Sequence, residues 1–184
     1  MVRSIFLARL LVTVGLLITA AFGARAASPD NTLYMDLKDG RVVIELRPDL
    51  APKHVQRIKK LVKEGFYDGL TFHRVITGFM AQTGDPKGDG TGGSKYPDLP
   101  AEFTPTPFKR GTVGAARSGN PNSANSQFFI CLEDASHLNG NYTVWGQVTE
   151  GMQLIDRIKK GAGASGQVFN PDKILKMQLA SDAR

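Results

Sequence analysis

The 184-residue chain has only one cysteine and three histidines, two residue types that often serve as nucleophiles, bases or metal ligands. Its one cysteine, Cys131, rules out an internal disulfide and any metal site built from several cysteines. Because Cys131 lies in the apolar string FFICL, we interpret it as a small buried side chain. The three histidines, His54, His73 and His137, lack the H-x-x-x-H and H-E-x-x-H spacings of zinc sites. We expect His54 to be an exposed helix residue and His73 to serve mainly in packing.

Two other catalytic patterns are missing. No G-x-S-x-G string is present to place a serine nucleophile on a sharp turn. The glycine-rich string GDPKGDGTGG, residues 84–93, lacks the Gly-Lys-Ser/Thr of a phosphate-binding loop and does not open a helical pattern. We therefore interpret residues 84–93 as a flexible loop, and a metal-dependent hydrolase lacks the ligands that it would need.

The charge of the chain gives little support for a nucleic-acid partner. The 23 basic and 17 acidic residues leave a net charge of +6, but Arg3, Arg9 and Arg25 lie within the first 26 residues. Without those residues the charge falls to +3, from 20 basic and 17 acidic side chains. No basic run interleaved with aromatic residues occurs, so we predict no binding to nucleic acid.

The first 26 residues differ from the rest of the chain. Arginines precede the apolar run LLVTVGLLITAAF, and the string ARA follows it. This order is typical of a secretory signal peptide, which we predict to be residues 1–26, cut after Ala26. The alternative is a retained membrane anchor, but the run has 13 residues and a spanning helix needs about 20. We predict a single domain, residues 27–184, in the periplasm or, alternatively, secreted, with no membrane contact after cleavage.

The pattern of apolar residues predicts a mainly β domain. Two alternating runs around Lys38-Asp39-Gly40-Arg41 indicate a β-hairpin. Residues 54–65 and 152–158 have apolar side chains at helical spacing, which indicates two amphipathic helices. Short strands are predicted at residues 71–75, 79–82, 113–116, 127–132, 142–148 and 174–179. Many short strands with two helices predict a closed antiparallel β-barrel whose ends the helices cover.

The string FHRVITGFMAQTGD, residues 72–85, combines apolar residues with a cation and an amide. Read alone, Arg74 would be a structural cation paired with an acid, and Phe79 and Met80 would be core residues. Two further strings have a similar mixture of aromatic and polar residues: SANSQFFI, residues 123–130, and VWGQV, residues 144–148. We assign Trp145 in the last string to packing.

Together these three strings, in this order, resemble the cyclophilins, which are peptidyl-prolyl cis–trans isomerases. The resemblance extends over about residues 33–179. It implies a closed eight-stranded antiparallel barrel capped by two α-helices, in agreement with the fold predicted from the apolar pattern. It also implies an enzyme that accelerates rotation about X-Pro peptide bonds and needs no cofactor and no metal.

The resemblance implies a set of site residues. Arg74 matches the catalytic arginine of the family, and Phe129 matches the floor of its proline pocket. The remaining matched positions line the substrate groove, namely Phe79, Met80, Gln82, Ala116, Arg117, Gln127, His137, Leu138 and Tyr142. Three of them depart from eukaryotic members: Arg117 replaces an asparagine, His137 a tryptophan that binds cyclosporin, and Tyr142 a histidine. We therefore expect isomerase activity with weak cyclosporin binding.

A permanent cation suits this reaction. An X-Pro bond resists rotation by about 18–20 kcal/mol because its nitrogen donates its lone pair into the carbonyl. In the twisted transition state the nitrogen regains that lone pair, so a guanidinium aimed at it stabilises the transition state selectively. The partners that follow are proline-containing polypeptides and unfolded exported proteins, handled by a monomer. The alternative function is a proline-peptide-binding chaperone module whose catalysis is incidental.

Overall fold

The computed structural model describes residues 27–183, which form eight strands and two α-helices. The strands are β1 (Thr32–Leu37), β2 (Gly40–Leu46), β3 (Arg74–Ile76), β4 (Met80–Thr83), β5 (Thr112–Ala115), β6 (Phe128–Cys131), β7 (Val144–Glu150) and β8 (Lys176–Leu179). The helices are α1 (Pro52–Lys63) and α2 (Met152–Asp156). Short 3-10 turns occupy Pro29–Asn31, Ser136–Leu138 and Ala180–Asp182. The mainly β architecture with two helices is thus confirmed.

The eight strands form one antiparallel sheet in the order β3-β4-β6-β5-β7-β2-β1-β8, with β3 and β8 at its two edges. The predicted closed barrel is therefore wrong, because the curled sheet is not joined by a ladder between these edges. Residues 166–174 lie between them and bond to residues 69–75 through separate backbone hydrogen bonds. Pro171 has no backbone N–H, and Asn170 has a φ of 50°, so this segment cannot form a regular strand.

The first hairpin follows directly from its sequence. Leu37 pairs with Gly40 across a two-residue connection, and Gly40 has a φ of 138° that few other residues adopt. Alternate residues of β1 and β2 are buried, as the apolar pattern predicts. The two hairpin strands take part in three strand pairings of the sheet. They pair with each other, β1 also pairs with β8, and β2 also pairs with β7.

Helix α1 begins with Pro52 and buries its apolar face. The expectation that His54 is exposed is wrong, because its side chain is only 3% exposed. Glu102, from the long loop before β5, accepts hydrogen bonds from the backbone N–H groups of Lys53 and His54, each at 3.0 Å. His54 Nδ1 lies 2.6 Å from Glu102 Oε2. The carboxylate thus caps the first turn of the helix, and the loop covers His54.

The sheet separates two apolar clusters, as the period-two alternation of its strands requires. Along β6, Phe128 and Ile130 enter the larger cluster, which we call the main core. Phe129 and Cys131 enter the smaller one, which we call the groove cluster. The main core also holds the buried ring of Trp145, as predicted. Helices α1 and α2 cover the main core through their apolar residues, among them Ile155.

Within residues 27–183 no helix has the length and apolar character that crossing a membrane requires. The predicted signal peptide, residues 1–26, its cleavage after Ala26 and the localisation that follows from it lie outside the described residues.

Candidate active site

A groove of about 280 Å³ opens above the groove cluster. The structure brings to its walls all of the predicted site residues except one, namely Arg74, Phe79, Met80, Gln82, Ala116, Arg117, Phe129, His137, Leu138 and Tyr142. Strands β3 and β4 supply Arg74, Met80 and Gln82 to the groove walls, and the 3-10 turn Ser136–Leu138 supplies His137 and Leu138. In the part of the chain that the structure describes, no acidic side chain lines the groove.

Arg74 begins the edge strand β3 and pairs across the sheet with Gln82 of β4. Its Nη1 donates to Gln82 Oε1 at 3.2 Å, and its Nε donates to the Ser165 carbonyl at 3.0 Å. Among residues 27–183, no carboxylate forms an ion pair with this guanidinium. The interpretation of Arg74 as a structural cation paired with an acid is therefore wrong. Both of its partners are neutral oxygens, so its charge remains free to act on a molecule in the groove.

A chain of hydrogen bonds continues from Gln82 to the glycine-rich loop. Gln82 Nε2 donates to Gln127 Oε1 at 2.9 Å, and Gln127 Nε2 donates to the carbonyls of Gly90 and Gly92 at 3.0 and 2.8 Å. The two amides thereby fix each other's orientation and present the Gln82 oxygen to Arg74. Gln127, which we predicted as a groove residue, does not line the groove itself but bonds to two residues that do: Gln82 through its side chain, and Ala116, whose N–H donates to the Gln127 carbonyl at 3.0 Å.

Phe129 forms the apolar floor of the groove. Its ring lies 5.7 Å from the ring of Phe108 in a stacked arrangement and 5.8 Å from that of Tyr142 edge-on, measured between centroids. Gly114 pairs with Phe129 across β5 and β6. A Cβ atom on Gly114 would lie 2.6 Å from both phenyl rings, so only glycine leaves room for this stack.

Three residues that support the site were not predicted from the sequence: Phe108 and Gly114 beneath the groove, and Ser165 as a partner of Arg74. Gly114 could have been suspected, because a glycine inside a strand often marks a close approach of other groups. Phe108 follows a proline in a long loop, and Ser165 contributes only its carbonyl. Neither of these two has a local pattern that indicates its role.

The outer rim of the groove carries Arg117, Tyr142 and His137. The Arg117 guanidinium stacks 4.4 Å above the Tyr142 ring and donates to the Asn141 and Ser118 carbonyls, both at 2.9 Å. The exposed His137 ring lies 5.2 Å from the Phe79 ring. These contacts hold the three predicted rim residues around the opening.

A second, larger pocket of about 460 Å³ adjoins the groove and shares Gln82, Ala116 and Arg117 with it. Loop residues 90–94 and 116–127 supply most of its walls, and Gln127 lies here. Of the residues that the structure describes, no aromatic one lines this pocket, so it lacks the ring face against which a proline ring could pack. The groove above Phe129 is therefore the better candidate for the chemistry.

Other reactive side chains lie away from the groove opening. His73 is buried and does not line the groove, and burial lowers its pKa although the charge of Asp85 opposes this effect. Cys131 is buried beneath the groove, as predicted, and burial raises the pKa of its thiol to about 12. The thiol therefore stays protonated at neutral pH and is a poor nucleophile. Residues 27–183 contain no cluster of three His, Cys, Asp or Glu side chains arranged for a metal ion.

Comparisons with known proteins agree with this geometry. Residues 32–179 match the family model described as cyclophilin type peptidyl-prolyl cis-trans isomerase/CLD. The chain is 60% identical over 183 residues to a protein of Brucella suis named probable peptidyl-prolyl cis-trans isomerase, with 93% of each chain covered. It therefore has a curated relative of nearly the same extent.

Solved structures show the same fold. The crystal structure of the cyclophilin AquaCyp293 from Hirschia baltica superposes with a TM-score of 0.78 at 27% identity, covering 87% of this chain and 77% of that one. A cyclophilin-type isomerase from Cryptosporidium parvum, solved in the presence of the dipeptide Ala-Pro, gives a TM-score of 0.74 at 26% identity. That match covers 80% of this chain and 98% of the other. The sequence motifs, the open eight-stranded sheet and these comparisons agree, and the chain belongs to the cyclophilin-type peptidyl-prolyl cis–trans isomerases.

Proposed function

We propose that the peptidyl-prolyl cis–trans isomerase activity of this chain, which follows from its family, takes place in the groove above Phe129. One observation carries the proposal: the guanidinium of Arg74, which has no acidic partner among residues 27–183, lies at the edge of an apolar pocket. The pocket suits a pyrrolidine ring, and the cation suits the proline nitrogen beside it. A proline-containing polypeptide is thus the substrate, in which one X-Pro bond rotates.

Arg74 would act on the twisted transition state. When the X-Pro bond leaves planarity, its nitrogen regains a lone pair that a guanidinium N–H can meet. In both planar states this lone pair is delocalised, so the interaction is stronger in the transition state than in either ground state. Such differential stabilisation lowers the barrier without a covalent bond and without transfer of a proton.

The apolar groove residues would hold the ring and exclude water. Phe129, Met80 and Leu138 are each no more than 6% exposed and form one continuous surface. Removal of water from around the bond strengthens the interaction with the cation, because the local dielectric constant falls. The ring is then held still while the carbonyl that precedes it rotates.

Gln82 would keep Arg74 in place. Both ends of its amide are already bonded, one to Arg74 and one to Gln127. The resemblance implies only that Gln82 lines the substrate groove, and in this arrangement its first role is to orient the guanidinium. Ala116 and Arg117 form the adjacent wall, along which the polypeptide would run towards the second pocket.

The clients of this activity are proposed to be unfolded exported proteins in the periplasm, acted on by a monomer. The support is the basic, apolar and A-x-A order of residues 1–26. Uncatalysed isomerisation takes tens to hundreds of seconds, which is slow enough to limit folding. Weak cyclosporin binding stays a prediction, supported by the imidazole of His137, which offers less apolar surface than an indole.

The test is the rate of isomerisation of a short X-Pro peptide by the wild type and by Arg74→Ala. We expect the variant to lose at least about 100-fold in kcat/KM, the effect of removing one strong transition-state donor. Arg157→Ala is the matched control, since Arg157 is exposed and lies on α2's C-terminal side, away from the groove. Turnover near that of wild type in folded Arg74→Ala would remove Arg74 from the mechanism. A wild-type protein that binds the peptide without accelerating it would support the chaperone alternative.

A further inference from the structure

The segment Gly161-Ala162-Gly163-Ala164-Ser165-Gly166-Gln167 packs against the outer edge of β3, on the side of Arg74 opposite to Gln82. We call it the glycine loop. It bonds to β3 by its backbone: Gly166 accepts a hydrogen bond from Val75 N–H at 2.7 Å, and Gly161 N–H donates to the Val75 carbonyl at 2.9 Å. Both backbone groups of Val75 are thus satisfied by this loop, and none of its side chains is needed for the attachment.

The glycine loop is packed too closely for a side chain at two positions, at Gly166 against β3 and at Gly161 against the loop's own backbone. A Cβ atom on Gly166 would lie 2.3 Å from Ile76 Cγ1 and 3.1 Å from the Val75 carbonyl oxygen. Gly166 also has a φ of 70°, in the left-handed region that favours glycine. A Cβ atom on Gly161 would lie 1.9 Å from the Gly166 carbonyl oxygen. The chain can therefore reach this position only with glycine at both places.

This close approach brings the Ser165 carbonyl to Arg74. The carbonyl oxygen accepts from Nε at 3.0 Å, while Gln82 Oε1 accepts from Nη1 at 3.2 Å. Two acceptors on different nitrogens of a planar group fix both its position and the orientation of its plane. Since five N–H donors are present and these contacts use two nitrogens, donors remain for the substrate.

We propose that the glycine loop is a positioning element for the catalytic cation, acting through the Ser165 carbonyl on Arg74 Nε. This inference rests on the proposed function of Arg74 and adds a second support from outside the groove. A shift of about 1 Å in a catalytic group is enough to cost a large part of the rate. The close packing of Gly166 on β3, and of Gly161 on Gly166, limits such a shift by fixing the backbone that carries the Ser165 carbonyl.

The first test compares Gly166→Ala with Gly69→Ala. Both glycines have positive φ, 70° and 82°, so both variants carry the strain of a left-handed alanine. A Cβ atom on Gly69 meets nothing within 4 Å, whereas one on Gly166 displaces the loop from β3. We expect Gly166→Ala to lower kcat by about tenfold or more with little change in KM, because the cation is misplaced but the apolar pocket is intact. Gly69→Ala should retain the wild-type kcat.

A double variant separates positioning from general damage. In the Arg74→Ala background, Gly166→Ala should cause no additional loss of kcat, because its effect passes through Arg74. An equal further loss in that background would overturn the proposal, and so would an unchanged kcat in folded Gly166→Ala. If Arg74→Ala itself has wild-type activity, the proposed function fails instead, and the two failures are therefore distinguishable.

A measurement on the unaltered protein keeps the proposal testable if Gly166→Ala does not fold. Nitrogen-15 NMR of the arginine side chains reports how fast each Nε–H exchanges with water. We expect exchange of the Arg74 Nε–H to be slower by about tenfold or more than that of exposed Arg157, because the Ser165 carbonyl holds it. Equal exchange at the two arginines would show that the carbonyl does not hold Arg74 and would overturn the proposal.

Discussion

Phe128 and Phe129 are neighbours in β6, but they belong to different apolar regions with different roles. Phe128 enters the main core, where its ring meets Tyr67 at 5.6 Å and Trp145 at 5.3 Å, both edge-on. Phe129 enters the groove cluster and forms the floor of the candidate active site. The two rings are almost equally buried, at 0% and 5% exposure. Burial alone therefore does not distinguish a core residue from a binding residue here.

The difference lies in the polar groups that accompany each ring. In the main core, Tyr67 donates its hydroxyl to the Ser126 carbonyl at 3.0 Å, and burial raises the pKa of this phenol so that it stays protonated. In the groove, Arg74 has only neutral acceptors and keeps its charge available. The buried hydroxyl of Tyr67 is thus satisfied within the protein, whereas the groove leaves one strong polar group for a ligand.

The largest expected effects come from truncating each phenylalanine. Phe128→Ala should lower the free energy of unfolding by about 3–5 kcal/mol, because a large cavity forms in a closed core. The molecules that remain folded should isomerise an X-Pro peptide at nearly the wild-type rate. Phe129→Ala should instead lower kcat/KM by at least about tenfold, because the apolar face that holds the proline ring is lost.

Urea unfolding and the peptide assay, applied to both variants, measure this separation. We expect Phe129→Ala to lose less stability than Phe128→Ala, since the cavity opens into the groove, where water can enter. Equal losses of stability together with equal losses of kcat/KM would show that the two clusters are one functional unit.

The assignment of neighbouring strand residues to opposite faces of the sheet could be predicted from the sequence, because side chains alternate along a strand. The hairpin and helix α1 were likewise predicted from local patterns, and their observed bounds differ from the predicted ones by two residues or fewer. Helix α2 was predicted to reach residue 158 but ends at Asp156, although Ile158 is still buried. In these segments the near neighbours along the chain decide the structure.

Features that depend on distant segments could not be predicted. Closure of the barrel was expected from the number of strands, but it depends on how residues 166–174 meet residues 69–75. The burial of His54 depends on Glu102, which is 48 residues away. The groove residues came from the resemblance, while the support of Arg74 by the Ser165 carbonyl, 91 residues away, has no signature in side-chain pattern.

A smaller effect is expected at the polar pair that joins helix α1 to the long loop. Glu102→Ala leaves two backbone N–H groups and His54 Nδ1 without their acceptor. We expect a loss of about 2 kcal/mol in the free energy of unfolding, the usual cost of leaving buried donors unpaired. The exposed Glu133→Ala is the matched control and should change stability by less than about 0.5 kcal/mol. Since Glu102 does not line the groove, catalysis by the folded variant should be unchanged, and a loss of kcat as large as that of Phe129→Ala would contradict the comparison.

The same pair should make stability depend on pH. Burial lowers the pKa of His54, and this effect exceeds the opposing effect of Glu102. Burial alone would raise the pKa of Glu102, but hydrogen bonds from His54 and from two backbone N–H groups together lower it. The unfolded chain therefore binds more protons than the folded one, first below about pH 6.5 at histidine and then below about pH 4.3 at glutamate. Unfolding measured between pH 8 and pH 4 should show that the free energy of unfolding decreases as the pH is lowered. The decrease should be less steep in His54→Asn, whose amide can donate to Glu102 without titrating.

The smallest expected effect is that of pH on catalysis. The groove acts through a permanent charge, and the main core contributes no charged group to the reaction. An arginine side chain carries a permanent charge, and the proposed mechanism transfers no proton. Burial lowers the pKa of His73, so this histidine stays neutral to a lower pH than an ordinary histidine, and it does not line the groove. We therefore expect kcat/KM for an uncharged X-Pro peptide to be nearly constant from about pH 6 to 8.5. His137 lies at the groove edge, so His137→Gln, which should retain activity, tests whether any drift with pH comes from this position. The profile is to be measured in wild type, His137→Gln and His73→Gln. A change of about tenfold in kcat/KM across this pH range that persists in His137→Gln and disappears in His73→Gln would mean that the buried His73 exchanges protons during catalysis. The proton-free mechanism would then be wrong.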